Sequence, residues 1–339
     1  MNFLKNTFLI FRLNCEWDEH FQGEDYYRHF KNRTTFFSKD DGQNYYISLS
    51  IFSELKNRSV YISYRGEPRL LIETTTIADC SSSDNNQGGS IFFNGNSIIF
   101  SKSCMLNSNL FGTNKDGTAV YFECEDSDQC KNYITYSSMF QNADQTVDSK
   151  TTFTLQKGSV FLNYFNFTNN KCKSSGLFKI LGSHSVYYGY TLFIQNTIDE
   201  FPSIIENSAN FREFILSNNE CSYHGRDKYM FSTQNSDASF AECYLQDYYH
   251  YNAFYIDGSI TVAATYYCVG LVARGNQYWD NECRGYCLAT PPGFDIPVTN
   301  YCSTNENSNQ IRRADKTYDD RSGKRHVGVV ALLGYSSIN

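Results

Sequence analysis

The sequence predicts an all-β protein, a right-handed parallel β-helix, on three observations. Short turns of Gly or Asn followed closely by Ser recur, at nearly even spacing from position 158 onward (158, 182, 207, 235 and 258). Each turn lies between two short apolar or β-branched runs, such as 90–93 and 98–100, which are typical of strands. An apolar residue also precedes an Asn by three positions in successive units. A nearly fixed period of this size indicates a solenoid.

One repeat unit supplies three short strands and three corners, which make one coil. A single coil cannot bury its own apolar face, but coils stacked about 4.8 Å apart pair their strands in parallel and close a continuous core. Connections between parallel strands are right-handed in nearly every case, and this sets the predicted hand. We expect about 7–9 coils, with an N-terminal cap and an irregular C-terminal tail.

The regularity of the repeat sets the expected domain boundaries. Residues 1–60 are less regular and are expected to form an N-terminal cap or partial coils, because the open end of a solenoid needs cover. Residues 61–290 are expected to form the β-helix. The repeat stops after Cys287, so residues 291–339 are expected to form a loop and a flexible tail.

The Asn that closes a repeat unit has a predicted structural role. At a corner of the coil, stacked side-chain amides can bond between coils in place of backbone groups that the corner leaves unpaired. The predicted ladder consists of Asn109, Asn142, Asn170, Asn196, Asn219 and Asn281.

The 12 cysteines mildly favour an oxidising compartment. Cys243 and Cys268 follow successive turns by eight and ten positions, so they are predicted to be neighbours on adjacent coils, either as a disulfide or as stacked thiols. A loop disulfide within 124–130 or within 283–287 is one further interpretation, and buried free thiols are the other. The spacing lacks paired C-x2-C motifs, so we expect no metal site. The sequence has no phosphate loop and no dinucleotide fingerprint, so we expect no cofactor.

Charge and hydropathy narrow the classes of function. With 36 acidic and 29 basic residues the net charge is -7, which argues against a nucleic-acid partner. No apolar run reaches the length that a membrane-spanning helix needs, so we expect no transmembrane segment in the chain as given. Residues 1–11 match a signal peptide poorly. Sequons at Asn32, Asn57 and Asn166 would permit glycosylation on a secretory route.

Several tetrapeptides of the repeat resemble those of a known family. Phe167-Thr168-Asn169-Asn170 and Phe193-Ile194-Gln195-Asn196 match F-x-x-N, and Gly88-Gly89-Ser90-Ile91 approximates G-G-A-[ILV]. These motifs are similar to the repeats of the polymorphic membrane proteins of chlamydiae and of related surface proteins of trichomonads. The resemblance implies a pectin-lyase-like β-helix at the cell surface or secreted, used in adhesion or host contact.

Two hypotheses of function follow. The first is a non-enzymatic surface or secreted protein that acts in adhesion or interaction, with glycans or host and cell-surface proteins as partners. The alternative is a secreted polysaccharide-acting enzyme, a lyase or glycoside hydrolase, because the pectin-lyase-like fold also hosts such activities. The sequence assigns no catalytic residue: glycoside hydrolysis needs two carboxyl groups about 5 to 9.5 Å apart, and the repeat pattern identifies no such pair.

Overall fold

The structure is a computed structural model that describes residues 16–198 apart from 36, 65–66, 84–86, 111–115, 143–150, 173–176 and 195. Further along the chain it describes the backbone of strands between residues 203 and 279. Strands dominate these segments, in agreement with the predicted all-β class.

The elements are given in chain order. Helix α1 spans Glu16–His20. Strands of the first part are β1 (Arg28–Lys31), β2 (Phe37–Lys39), β3 (Tyr45–Ser48), β4 (Ile51–Ser53), β5 (Val60–Ser63), β6 (Arg69–Glu73), β7 (Thr76–Ala78), β8 (Ser81–Ser82), β9 (Ile91–Asn94), β10 (Ser97–Ser101), β11 (Cys104–Leu106), β12 (Asn109–Leu110), β13 (Val120–Glu123) and β14 (Lys131–Phe140). Strands of the second part are β15 (Phe153–Gln156), β16 (Ser159–Thr168), β17 (Lys171–Cys172), β18 (Phe178–Leu181), β19 (Ser185–Ile194), β20 (Thr197–Ile198), β21 (Ser203–Glu206), β22 (Asn210–Ser217), β23 (Glu220–Cys221), β24 (Tyr229–Thr233), β25 (Ala238–Ala241), β26 (Tyr244–Gln246), β27 (Asn252–Ala263), β28 (Tyr266–Cys268) and β29 (Ala273–Trp279).

Three stacks of parallel strands form the faces of the coil. Face A contains β1, β3, β6, β10 and the first halves of β14, β16 and β19. Face B contains β4, β7, β11 and the second halves of β14, β16 and β19. Face C contains β2, β5, β9, β13, β15 and β18. The described pairings between β21 and β29 continue these stacks in parallel.

The register along face A shows how the chain winds. Leu70, Ile98, Asn132, Val160 and Val186 stand opposite one another on successive strands. The chain therefore makes four turns between β6 and β19, and further strands extend the stack on both sides. The predicted parallel β-solenoid is confirmed. The total of about 7–9 coils and the right hand stay predictions.

The core fills the inside of the coil because alternate residues of each strand point inward. In β9 the side chains of Ile91 and Phe93 are fully buried, whereas Phe92 between them is half-buried on the outside. Core rings stack from coil to coil, as where Phe153 lies on Phe178 with centroids 4.8 Å apart. Each such side chain contributes roughly 1.5–3 kcal/mol through burial.

The corner between faces A and B turns on one residue in the left-handed region. The residues at this corner of the described coils have φ values from 46° to 53°: Asn32, Leu49, Thr74, Lys102, Tyr136, Tyr164 and Tyr190. This conformation costs an L-residue about 1–2 kcal/mol. The backbone compensates by keeping its hydrogen bonds to the next coil, as Thr74 N donates to Ser101 O at 3.1 Å and Lys102 N to Thr135 O at 3.0 Å.

A row of buried hydroxyl groups follows this corner, and we call Ser50, Thr75, Ser103 and Ser137 the hydroxyl ladder. Thr75 N donates to Ser103 Oγ at 3.0 Å, and Ser103 N donates to Ser137 Oγ at 3.1 Å. Each hydroxyl in turn donates to a carbonyl oxygen two positions earlier in its own coil, at 2.7–2.9 Å. The ladder thus satisfies backbone groups that the turn would otherwise leave unpaired.

The N-terminal part already belongs to the solenoid. Strands β1 to β4 lie within residues 1–60, which were expected to form a cap or partial coils, and they pair in register with later strands. Helix α1 lies on the outside of face A, where Trp17 and Phe21 pack on Tyr46, Leu71 and Ile99. The expected tail, 291–339, lies outside the described residues.

Candidate functional site

Three of the predicted ladder residues, Asn142, Asn170 and Asn196, form a continuous buried row that we call the asparagine ladder. Asn170 Oδ1 accepts hydrogen bonds from Asn142 N and Asn142 Nδ2, both at 3.0 Å. Asn196 Oδ1 accepts from Asn170 N at 2.9 Å and from Asn170 Nδ2 at 3.2 Å. The amide of Asn170 also donates to Met139 O of the preceding coil at 3.1 Å. The side-chain amide of Asn170 is therefore fully used in hydrogen bonds that hold neighbouring coils together.

The structure corrects the prediction for Asn109 by one position. Ser108 takes the place opposite Asn142 and donates its N–H to Asn142 Oδ1 at 3.0 Å. The side chain of Asn109 instead accepts from the adjacent Leu110 N at 2.8 Å. The predicted pattern takes Leu106 as its apolar residue, whereas the residue that stands opposite Met139 is Met105.

Two further predicted ladder residues, Asn219 and Asn281, lie outside the described residues. Their place in the ladder stays a prediction.

The predicted pairing of Cys243 with Cys268 stays a prediction, because Cys243 lies outside the described residues. On β28, Cys268 stands opposite Gln246 of β26, because Tyr244 pairs with Tyr266 and the strands continue in step.

The described cysteines are mainly buried thiols. Cys80, Cys124, Cys130 and Cys172 are buried thiols, which agrees with that interpretation and not with a disulfide loop within 124–130. Burial raises the pKa of the Cys80 thiol to about 11 and that of Cys124 further. Cys104 is disulfide-bonded. The alternative pair within 283–287 lies outside the described residues.

The three sequons differ in accessibility. Asn32 and Asn57 are exposed. Asn166 is 7% exposed in the middle of β16, and its Nδ2 donates to Ser138 Oγ at 3.4 Å. A glycan on Asn166 is therefore incompatible with this packing.

A polar cleft, which we call the corner cleft, lies where the turns from face C to face A meet the segment after α1. Its first part has a volume of about 480 Å³ and its second about 790 Å³. Arg69 and Asn96 line both parts, so the two adjoin. The first part is also lined by Asp25, Tyr26, Tyr27, Gly42, Gln43, Asn44 and Glu67.

Asn44 holds the wall of the corner cleft in place. Its Nδ2 donates to Asp25 O at 2.9 Å and its Oδ1 accepts from Arg69 N at 2.9 Å. Its backbone oxygen accepts from Tyr27 N at 2.8 Å. One residue thus ties the segment after α1 to two successive coils.

The turn at Gly42 favours a glycine. Its φ is 61°, and a Cβ there would lie 2.6 Å from Glu67 Oε2 and 2.9 Å from the Tyr64 ring. A larger residue would therefore push the Glu67 side chain out of its place beside the cleft.

Acidic groups predominate in the first part of the corner cleft. Arg69 Nη1 is paired with Glu24 Oε2 at 3.1 Å, whereas Asp25 and Glu67 have no ion-pair partner among the described residues. Arg69 is the only cation among the described residues that line this part, and it is already paired with Glu24.

Burial shapes the electrostatics of the second part. Burial and then the nearby Lys131 ammonium hold the pKa of His20 below its ordinary value. Lys131 Nζ donates to His20 O, and its charge lies 5.8 Å from the centre of the Phe21 ring. Lys131 is thus held against the last residue of α1 and the residue that follows it.

Two tyrosines form the rim. Tyr27 is 61% exposed, and its ring meets the edge of Tyr45 with centroids 6.2 Å apart. Tyr26 packs edge-on against Trp17 at 5.5 Å. Tyr26 is thus anchored under α1, whereas Tyr27 lies largely exposed with the Arg28 guanidinium 5.8 Å from its ring centroid.

Sequence reasoning identified neither the corner cleft nor a second glycine turn of the repeat. Gly117-Thr118-Ala119-Val120 stands one coil after Gly88-Gly89-Ser90-Ile91, since Ile91 pairs with Val120. Gly88 and Gly117 have φ values of 73° and 64°. The shared Gly, three positions before a β-branched residue, is a signal that could have located this turn.

No protein-family model matches the chain, and no curated protein or solved structure shows significant similarity to it. Among the residues that the structure describes, no helix is long and apolar enough to cross a membrane. In the same residues no group of three or more His, Cys, Asp or Glu side chains is placed to hold a metal ion.

Proposed function

We propose that this chain is a binding protein of the β-helix type, present at the cell surface or secreted, that acts in adhesion or in contact with partner molecules through the corner cleft. The observation that carries the proposal is the cleft itself. Its volumes fall in the range of about 300–1,000 Å³ that is usual for binding sites. Its walls come from turns of three successive coils, at positions 43, 67 and 96.

The solenoid supports a binding function because it fixes these turns. Each cleft turn leads into a strand that is hydrogen-bonded to neighbouring coils, as β6 is to β3 and β10. A ligand at such a site meets side chains that are already ordered, which lowers the entropic cost of binding.

Membership in the polymorphic membrane protein-like family is part of this proposal. Two matched motifs have clear structural roles, since Phe167 and Phe193 lie in the core and Asn170 and Asn196 form the asparagine ladder. These roles account for the spacing of F-x-x-N. A pectin-lyase-like relationship and a surface location are proposed on the same basis.

A polysaccharide-acting enzyme is the second candidate, and one observation favours it. Asp25 and Glu67 line the same part of the corner cleft, and a pair of carboxyl groups is what glycoside hydrolysis needs. A turnover measurement separates the two candidates.

The test combines localisation, binding and turnover. Fractionation of native cells should place the protein at the surface or in the medium, and the labelled full chain should bind to arrays of glycans and cell-surface proteins. Bound polymers should be recovered intact. A wholly cytosolic protein that binds no array component would overturn the proposal, whereas shortened polymers would favour the enzyme.

A further inference from the structure

We infer that the ligand of the corner cleft is an uncharged oligosaccharide, with the Tyr27 ring as its stacking surface. This inference rests on the proposed binding function and adds a ligand class to it. It follows from the shape, charge and hydrogen-bonding capacity of the cleft.

The shape favours an extended ligand. The two parts of the cleft adjoin at Arg69 and Asn96, so a molecule that fills both must pass this junction. A chain of several rings meets that requirement, and a compact metabolite would occupy one part alone.

The charge of the cleft disfavours an acidic ligand. Its first part brings together the carboxylates of Asp25 and Glu67 and the guanidinium of Arg69, which is already paired with Glu24 at 3.1 Å. In the second part the ammonium of Lys131 already donates to a backbone carbonyl. A uronate or sulfate group in the first part would meet the like charges of Asp25 and Glu67, and the one cation among the described residues that line this part is already paired.

The hydrogen-bonding groups of the cleft suit a polyhydroxylated ring better than an ammonium group. The cleft offers acceptors on Asp25 and Glu67 together with donors on Arg69 and the Gln43 amide. A hydroxyl group both donates and accepts, so a polyhydroxylated ring can satisfy both sets. An ammonium group only donates, so it can bind the carboxylates but cannot accept from the exposed Gln43 amide.

Tyr27 supplies the apolar contact. Its ring is 61% exposed at the rim, with the Arg28 guanidinium 5.8 Å from its centroid, and its backbone is fixed by the hydrogen bond from Tyr27 N to Asn44 O. An aromatic ring held in this way can pack on the apolar face of a sugar ring at little entropic cost.

The experiment uses the full chain on an array of uncharged gluco-, galacto-, manno- and N-acetylhexosamine oligomers of several linkages. Oligogalacturonates, sulfated glycans and oligolysine serve as charged counterparts. We expect uncharged oligomers alone to bind, and calorimetry with the best of them to show about tenfold weaker binding for Tyr27→Ala.

Two variants control for folding. Tyr27→Phe keeps the ring and should bind within about threefold of the original chain. Tyr136→Ala removes a tyrosine that is 42% exposed at the corner between faces A and B, and its binding should be unchanged.

The outcomes separate this inference from the proposed function. Equal or tighter binding of oligogalacturonate, sulfated glycans or oligolysine overturns the inference, as does uncharged-glycan binding that Tyr27→Ala leaves intact. Binding to cell-surface proteins without any glycan overturns the inference and keeps the proposed function. A chain that binds no array component and no cell overturns both.

Discussion

The hydroxyl ladder and the asparagine ladder meet the same need at two corners of the coil. Both follow a residue in the left-handed conformation, Lys102 before Ser103 and Asn169 before Asn170. Ser103 Oγ donates within its own coil and accepts one hydrogen bond from the preceding coil, that of Thr75 N. The amide of Asn170 makes three hydrogen bonds to the preceding coil, two from Asn142 and one to Met139 O. A hydroxyl thus joins neighbouring coils by fewer bonds than an amide does. This difference predicts that loss of the asparagine side chain lowers the free energy of unfolding more than loss of the hydroxyl.

The largest effect is expected from Asn170→Leu. The substitution removes the acceptor of two hydrogen bonds from Asn142 and the donor to Met139 O in the core. Each buried group left unsatisfied costs about 1–3 kcal/mol, so we expect the free energy of unfolding to fall by about 3 kcal/mol in urea titrations. Lys171→Leu, at the exposed position that follows, is the matched control. A loss below about 1 kcal/mol for Asn170→Leu would contradict a role between coils.

A smaller effect is expected from Ser103→Ala in the hydroxyl ladder. The change removes one acceptor, that of Thr75 N, so the free energy of unfolding should fall by about 1–2 kcal/mol. Ser103→Thr should restore it, because Thr75 fills the equivalent position one coil earlier. Ser38→Ala, on the exposed side of β2, should change nothing measurable. Equal losses for Ser103→Ala and Ser38→Ala would show that the hydroxyl does not stabilise the turn.

Acid should affect the region of α1 while the two ladders, which contain no ionisable group, stay unaffected. Burial is the main cause that lowers the pKa of His20 in the folded chain below the ordinary value of about 6.5. Below that pH the unfolded chain therefore binds a proton at His20 more readily than the folded chain does. Stability is therefore fully present above that pH and falls as the pH drops below it. Urea midpoints at about pH 7.5 and about pH 5.5 should differ, and less so in His20→Gln. An unchanged difference in that variant would assign the pH dependence to other groups.

The smallest effect is expected from Thr74→Gly at the left-handed corner. Glycine relieves a strain of about 1–2 kcal/mol but adds about 0.5–1 kcal/mol of unfolded-state entropy, so a gain of about 0.5 kcal/mol remains. The hydrogen bond from Thr74 N to Ser101 O is retained. Thermal unfolding of the two proteins measures the difference, and a marked loss would mean that the Thr74 side chain makes a contact of its own.

The repeated parts of this fold could be predicted because their spacing is nearly constant. Asn142, Asn170 and Asn196 stand at almost equal separations, and each follows a buried apolar residue by three positions. The hydroxyl ladder escaped prediction because Ser and Thr are frequent elsewhere in the chain and the separations widen from Ser50 to Ser137. Such separations vary with the loops between the strands.

The corner cleft could not be predicted from local patterns. Its residues come from positions 25, 44, 67 and 96, which only the coil register brings together. Register in turn depends on loop lengths and on which apolar residue is taken as the reference, as Ser108 and Asn109 demonstrate. A solenoid sequence therefore indicates its coils more readily than the surface where their turns meet.

The position of Trp17 gives the chain an internal optical reporter. The sequence holds two tryptophans, and Trp17 is 1% exposed between Tyr46 and Tyr26, beside the rim of the corner cleft. In the Trp279→Phe variant, emission would come from this indole alone, at short wavelength while α1 is docked. Energy transfer from the surrounding tyrosines, excited at shorter wavelength, would decline as the helix detaches. A red shift without loss of far-ultraviolet circular dichroism would then record release of α1 from an intact solenoid.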